Sequence, residues 1–113
     1  MIYDMEKYQR SCVPDGEYTV SILSPKGVPE HMALITEQDG KYCVDYTTEH
    51  GKQRAEAELN NGSLYFEYEG GSCGDEKFGM MLKVYPYGDI MLGDTYRVEV
   101  EAAPPSPVVC IRR

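Results

Sequence analysis

The chain of 113 residues is long enough for one hydrophobic core and too short for two, so we expect a single domain. Its 19 acidic and 11 basic residues give a net charge of −8 at pH 7, which argues against a nucleic-acid-binding protein. The sequence shows neither the roughly 20 apolar residues of a membrane-spanning helix nor the apolar run of a signal peptide. We therefore expect a soluble cytoplasmic protein that binds neither nucleic acids nor membranes.

The first 14 residues differ from the rest of the chain. Apolar and aromatic side chains recur here at a roughly helical period, at Tyr3, Met5, Tyr8 and Cys12. This pattern predicts a short N-terminal helix or a loose lid over residues 1–14. A Pro-Asp-Gly sequence ends the segment, and the remaining domain is predicted over residues 15–113.

After this segment, polar and apolar residues alternate in short runs separated by turn residues, which is typical of β-strands. Eight strands are predicted, over residues 16–23, 30–37, 41–49, 52–60, 63–69, 76–85, 89–102 and 108–113. Three dipeptides that favour two-residue hairpin turns fall 11 residues apart, at Asp39-Gly40, His50-Gly51 and Asn61-Gly62. Gly93 interrupts the longest run and predicts a bulge or a sharp bend.

The turns also predict which side chains point inward. A turn at His50-Gly51 would place Tyr42, Val44 and Tyr46 opposite Leu59, Ala57 and Ala55, respectively. A turn at Asn61-Gly62 would place Leu59, Ala57 and Ala55 opposite Leu64, Phe66 and Tyr68, respectively. Because a one-residue slip would invert the set, this agreement predicts a strand over residues 52–60, although its residues are good helix formers.

Two other strands contribute inward rows. Phe78, Met80, Leu82 and Val84 form one of them. For residues 30–37 two registers stay open: a two-residue loop at Asp39-Gly40 turns His31, Ala33 and Ile35 inward, and a three-residue loop turns Met32, Leu34 and Thr36 inward.

Eight antiparallel strands with one apolar face form either a sandwich or a closed barrel. Short hairpins in sequence order favour an all-β, eight-stranded up-and-down meander barrel, which has no edge strands and can enclose one small ligand. That barrel is the predicted fold class.

Residues 15–113 resemble the calycins, the superfamily of lipocalins, fatty-acid-binding proteins and short lipocalin-like barrels of bacteria. Lipocalins carry Gly-x-Trp where the first strand begins, and an Arg near the end of the last strand packs across that Trp. Here Gly16-Glu17-Tyr18 stands at the first place, with Tyr instead of Trp, and Arg112-Arg113 stand at the second. The resemblance implies a barrel that binds a small hydrophobic molecule inside, without catalytic residues.

The aromatic residues suggest how such an interior would be lined. Ten of them are Tyr and two are Phe, and a Tyr combines a flat apolar ring with one hydroxyl, which suits an aromatic or amphipathic ligand. The predicted ligand-binding residues are Tyr42, Tyr46, Phe66, Tyr68, Met80, Leu82 and His31. The sequence leaves open whether these side chains line a cavity or fill a solid core.

The cysteines and histidines predict no metal site and no cofactor. Neighbouring cysteines are 30 or more residues apart, at Cys12, Cys43, Cys73 and Cys110, so no Cys-x-x-Cys pair exists and their redox state stays open. His50 lies in a predicted turn and is expected to be solvated.

Three functions are compatible with these observations. The leading hypothesis is non-catalytic binding of a small hydrophobic or aromatic molecule. An alternative is an inhibitor or immunity-type protein that binds a basic partner through Asp45, Glu56 and Glu67, which are expected side by side on the outer face. A third is a small isomerase- or hydratase-like enzyme that uses His31 or an inward Tyr. The sequence gives neither the ligand nor the oligomeric state.

Overall fold

The computed structural model of the chain describes residues 13–85, 89–101 and 103–113. Eight antiparallel strands form a closed barrel in sequence order, with β1 paired to β8. The strands β1 to β8 are Gly16–Ile22, Glu30–Gln38, Lys41–Thr48, Gly51–Asn60, Ser63–Gly70, Glu76–Val84, Ile90–Arg97 and Ser106–Arg112. The predicted all-β meander barrel is therefore confirmed. The predicted N-terminal helix or lid lies outside the described residues, except for Val13 and Pro14. Nothing in the described part forms a helix long and apolar enough to cross a membrane.

Two of the three predicted turns form where the sequence placed them. Asp39-Gly40 and Asn61-Gly62 each have positive φ at both residues, 54° and 79° in the first and 52° and 79° in the second. These angles fit two-residue hairpin turns, in which Asp, Asn and Gly are tolerated. The turn at Asp39-Gly40 pairs Gln38 with Lys41, so it selects the register in which His31 and its alternate neighbours point inward.

The third turn was predicted at the wrong position. Thr48 pairs with Gly51, so Glu49 and His50 form the loop, and Tyr46 lies opposite Gln53 rather than Ala55. The pairing differs from the predicted one by two residues. Because side chains alternate with a period of two, this even shift leaves the same residues facing inward.

The pairing between β4 and β5 is shorter than predicted. The ladder has three residue pairs and ends at Glu58 and Tyr65, so the predicted pairs further along do not form. Beyond this point the two strands are joined through the Gln53 side chain instead of backbone pairs. Its Oε1 accepts from the Glu69 amide and its Nε2 donates to the Glu69 carbonyl, both at 2.7 Å. The barrel wall therefore has a side cleft between these strands.

The last two strands also differ from prediction. β7 ends at Arg97 instead of residue 102, and β8 begins at Ser106, two residues earlier than expected. Of the two alternatives predicted at Gly93, the bulge does not form, because β6 and β7 pair without interruption from Phe78–Arg97 to Val84–Met91. The sharp bend stays a prediction.

The core fills the middle of the barrel and one of its ends. Its most buried large side chains are Tyr18, Tyr46, Phe66, Ile35, Leu64, Met80, Leu82 and Met91. Where β1 begins, Val13 is buried and its amide donates to the Tyr42 hydroxyl at 3.1 Å. The Tyr18 hydroxyl donates to the Pro14 carbonyl at 2.8 Å. These contacts cap what we call the closed end; the opposite end, where β1 finishes at Ile22, is the open end.

Candidate functional site

The open end contains a cavity of about 410 Å³. Inward side chains at the strand ends and residues of the β7–β8 connection form its walls, among them Ile22, Pro29, His31, Tyr68, Phe78, Thr95 and Pro104. Most of these groups are apolar, and the volume lies at the small end of the range for ligand pockets. The cavity is therefore of a size and character that suit a compact organic molecule.

An aromatic pair forms one wall of this cavity. The rings of Tyr68 and Phe78 are stacked, with centroids 5.4 Å apart and planes 14° apart. The next inward position after Tyr68 is Gly70, where a Cβ would lie 3.5 Å from the Tyr68 ring and 3.6 Å from the Phe78 ring. Because glycine has no side chain, none from this position covers the stacked pair, and all three residues border the cavity.

Hydrogen bonds and a ring contact link five strands behind the cavity. The His31 Nδ1 and the Tyr46 hydroxyl are 2.8 Å apart, and the Tyr46 ring packs against the Tyr68 ring with centroids 4.6 Å apart. The Tyr68 hydroxyl lies 2.7 Å from the Thr95 Oγ1, which donates to the Gly79 carbonyl at 2.9 Å. Burial raises the pKa of both tyrosines above the usual value of a phenol, so they are neutral hydrogen-bonding groups.

His31 lies at the wall of the open-end cavity, where burial changes its titration. Its ring is half-buried and meets the Tyr46 ring edge-on, with centroids 5.3 Å apart. Desolvation lowers the pKa of His31 below 6.5, and the nearby Glu49 carboxylate opposes this effect only in part. At neutral pH the imidazole is therefore uncharged.

This pKa predicts a specific pH dependence of stability. Because the folded state lowers the His31 pKa, it disfavours the proton that the unfolded chain takes up below about pH 6.5. In the wild type, His31 should therefore lower the free energy of unfolding as the pH falls from about 7.5 to about 5. In His31→Asn this contribution is absent. Urea unfolding between about pH 7.5 and about pH 5 should therefore show a smaller loss of unfolding free energy than in the wild type. Glu49→Gln should enlarge the loss, since it removes the charge that raises the His31 pKa.

His50 holds the rim of the open end together. It lies in the β3–β4 turn and is exposed, as predicted, and its Nε2 donates to the Gly71 carbonyl at 2.5 Å. A Cβ at Gly74 would lie 2.9 Å from the imidazole, so the ring also packs against this loop. The β3–β4 turn is therefore attached to the β5–β6 loop.

The seven predicted ligand-binding residues fall into three groups. His31 and Tyr68 line the open-end cavity, and Tyr46 is fully buried directly behind them. Tyr42 and Phe66 line the side cleft instead. Met80 and Leu82 are buried in the core, at 0% and 1% exposure, and line neither space.

Sequence reasoning missed several residues of the open-end cavity. Phe78 was recognised as inward but not assigned to the site, and Gly70, Thr95 and Ile22 were not singled out. The alternation of β5 carries the signal for Gly70, which is the inward position after Tyr68. Thr95 pairs with Met80 across β6 and β7, so its position follows only once the register of those strands is known.

The side cleft between β4 and β5 has a volume of about 840 Å³ and a mixed lining. Apolar residues such as Ala55, Ala57 and Phe66 lie beside charged residues of the outer face, including Arg54 and Glu67. The space is therefore a groove through the barrel wall, and it offers a ligand fewer uninterrupted apolar contacts than the open end does.

The carboxylates of the outer face do not lie side by side as expected. Asp45 is opposite Arg54, with 4.0 Å between carboxylate and guanidinium, and Glu56 is opposite Cys43. Glu67 accepts from the Tyr65 hydroxyl at 2.6 Å and lies 3.9 Å from the Lys77 ammonium. Two of the three carboxylates thus have a cation nearby, which weakens the proposed acidic patch. Binding of a basic partner stays a prediction.

The described cysteines carry no disulfide. Cys43, Cys73 and Cys110 are free thiols, and burial raises the pKa of Cys110 to about 12. Across residues 13–85, 89–101 and 103–113, no three His, Cys, Asp or Glu side chains are grouped closely enough to hold a metal ion.

The two positions that resemble the lipocalin motif are neighbours in the barrel. Arg112 extends over Gly16, where a Cβ would lie 3.1 Å from its Nε, and its guanidinium donates to the Asp15 carbonyl at 3.0 Å. Membership of the calycins nevertheless stays a prediction. Comparisons with known family models, with curated proteins and with solved structures find no match to this chain.

Proposed function

We propose that this protein binds a small, flat aromatic molecule in the cavity at its open end, without acting on it chemically. The observation that supports this proposal best is the stacked pair of Tyr68 and Phe78, which borders a cavity of about 410 Å³ beside Gly70, a position without a side chain. An aromatic ligand gains both apolar burial and favourable ring geometry against such a pair.

The remaining lining supports binding rather than catalysis. Ile22, Pro29 and Pro104 supply apolar walls, and most of the surface that the cavity exposes is apolar, although several polar residues also border it. Tyr46 and Tyr68 keep their protons because burial raises their pKa, so their hydroxyls fix the shape of the site instead of exchanging protons with a substrate. Arg97 at the rim is paired with Glu76 at 3.4 Å.

Filling the cavity should abolish binding. In Gly70→Leu the added side chain starts against the Tyr68–Phe78 pair at ordinary contact distance and extends into the space that the ligand would occupy. Titration with 2-naphthol, followed by NMR, should show saturable binding to the wild type and at least about tenfold weaker binding to this variant. Native mass spectrometry of protein purified from cells should show a co-purified small molecule that the variant lacks.

Glu69→Leu is the matched control. Glu69 is the neighbour of Gly70 and is exposed on the outer face of the same strand, so the same side chain there leaves the cavity empty. It should bind 2-naphthol as the wild type does. Thermal denaturation should first show that both variants are folded. Equal binding by Gly70→Leu and Glu69→Leu would then place any ligand elsewhere and refute the proposal.

A further inference from the structure

We propose that the open-end cavity selects aromatic ligands that carry a neutral hydrogen-bond acceptor, such as a ketone or an aldehyde, because the Thr48 hydroxyl can donate to it. This inference rests on the proposed function and names the ligand class of that same site. The observation that carries it is a buried hydroxyl proton that has no acceptor among the described residues.

Two threonine side chains are buried at the wall of the open-end cavity. Thr48 is 8% exposed and Thr95 is 4% exposed, and they are the buried polar side chains of the part of the chain that the structure describes. A hydroxyl has one proton, and a buried hydroxyl normally donates it. The Thr95 hydroxyl follows this rule, since it donates to the Gly79 carbonyl at 2.9 Å.

The proton of the Thr48 hydroxyl is not used in this way. The Thr48 Oγ1 lies 3.1 Å from the His50 amide nitrogen, and because a backbone amide can only donate, the oxygen is the acceptor in this bond. The hydroxyl proton is left over, and no described residue accepts it. Because an unsatisfied buried donor is unfavourable, a ligand that supplies an acceptor gains affinity from this bond.

The same hydroxyl borders the space beside the stacked aromatic pair. Thr48 is the inward position of β3 that follows Tyr46 toward the open end, and the Tyr46 and Tyr68 ring centroids are 4.6 Å apart. Thr48, Tyr68 and Phe78 all border one cavity of about 410 Å³. One compact ligand can therefore lie against the rings and accept a hydrogen bond from the hydroxyl at the same time.

The charges at the rim favour a neutral acceptor over a carboxylate. Glu49, the residue after Thr48, also borders the cavity, and its ion-pair partner among the described residues is the His50 imidazole rather than a Lys or Arg. Arg97 borders the cavity too, but it is already paired with Glu76 at 3.4 Å. A carboxylate ligand would therefore meet a like charge without a free guanidinium, whereas a ketone brings no charge.

The first test compares 2-acetylnaphthalene with 2-isopropenylnaphthalene, in which C=CH₂ replaces C=O. The ratio of the ketone affinity to the alkene affinity should fall about fivefold in Thr48→Val, which keeps the side-chain shape but cannot donate. Thr48→Ser keeps the hydroxyl and should keep the wild-type ratio. The ratio also cancels any effect of the lost bond to the His50 amide that acts on both compounds alike.

The second test observes the acceptor directly. In 2-acetylnaphthalene labelled with ¹³C at the carbonyl, the carbonyl shift of the bound ketone should lie downfield of its value in a hydrocarbon solvent, both in the wild type and in Thr48→Ser. In Thr48→Val it should return toward the hydrocarbon value. A ketone that stays hydrogen-bonded in Thr48→Val would have another donor, and this result would overturn the inference.

The outcomes separate this inference from the proposed function. If 2-naphthol binds, but the ketone does not bind or keeps its affinity ratio in Thr48→Val, the inference is wrong and the proposed function stands. Tighter binding of 2-naphthoate than of the ketone would overturn the choice of a neutral acceptor. If none of these naphthalene compounds binds, both proposals are refuted.

Discussion

Gly93→Ala is expected to lower the free energy of unfolding by about 3 kcal/mol or more, a large effect for one added methyl group. Gly93 on β7 lies opposite Leu82 on β6, at a point where the two strands approach closely. A Cβ at this position would lie 1.8 Å from the Met81 carbonyl oxygen and 2.8 Å from the carbonyl carbon. These are backbone atoms of a paired strand, which cannot rotate away as a side chain would.

Gly70→Ala is the matched control for this prediction. A Cβ there would make only ordinary contacts, at 3.5–3.6 Å, with the rings of Tyr68 and Phe78. Its effect should lie between zero and a gain of about 1 kcal/mol, because replacing glycine reduces the conformational entropy of the unfolded chain. Urea unfolding of both variants measures the difference. Similar midpoints for Gly93→Ala and Gly70→Ala would show that β6 and β7 do not approach as closely as described.

Local patterns in the sequence were sufficient for much of this fold. The alternation within each strand depends only on neighbouring residues, and Asn61-Gly62 adopts the positive φ that such a dipeptide tolerates, so the strands and their inward faces could be predicted. The turn at Glu49-His50 was misplaced because Gly51 was assigned to the loop. It is the first residue of β4, although its φ is also positive, at 118°.

Features that depend on distant residues could not be predicted. In the sequence, residues 98–102 continue the polar and apolar alternation of β7. The partner strand β6 begins only at Glu76, however, and the Val98 amide makes the last hydrogen bond between them, to the Lys77 carbonyl. The end of β7 therefore depends on where β6 begins. The side cleft depends on Gln53, whose amide bonds with the backbone of Glu69 on the next strand. No local pattern marks a side chain that will replace a strand ladder.

The same limit applies to the candidate site. His31, Tyr46, Tyr68 and Thr95 belong to four different strands, and their hydrogen bonds and ring contacts form only when all four registers are correct. The tyrosine content and the predicted inward-facing positions indicated an aromatic interior. They did not indicate which part of that interior would be densely packed. The structure places the dense packing in the middle and at the closed end, and the cavity at the open end.

This division between a packed middle and an open end predicts opposite effects for the two phenylalanines of the chain. Phe66 is 1% exposed and lies among the core aromatic rings, 5.5 Å from the Tyr46 centroid and 6.1 Å from that of Tyr68. Phe66→Ala should therefore cost about 3–5 kcal/mol of unfolding free energy. Phe78 is only partly buried at the open end, so Phe78→Ala should cost less stability and remove half of the aromatic pair that faces the ligand.

Urea unfolding and 2-naphthol titration of both variants test this contrast. We expect Phe66→Ala to lose most of its stability but, when it is measured well below its unfolding midpoint, to bind with an affinity near that of the wild type. Phe78→Ala should stay well folded and bind at least about tenfold more weakly, since the ligand loses one face of its aromatic contact. The reverse result, with binding lost only in Phe66→Ala, would move the site to the side cleft, because Phe66 lines that groove and Phe78 does not.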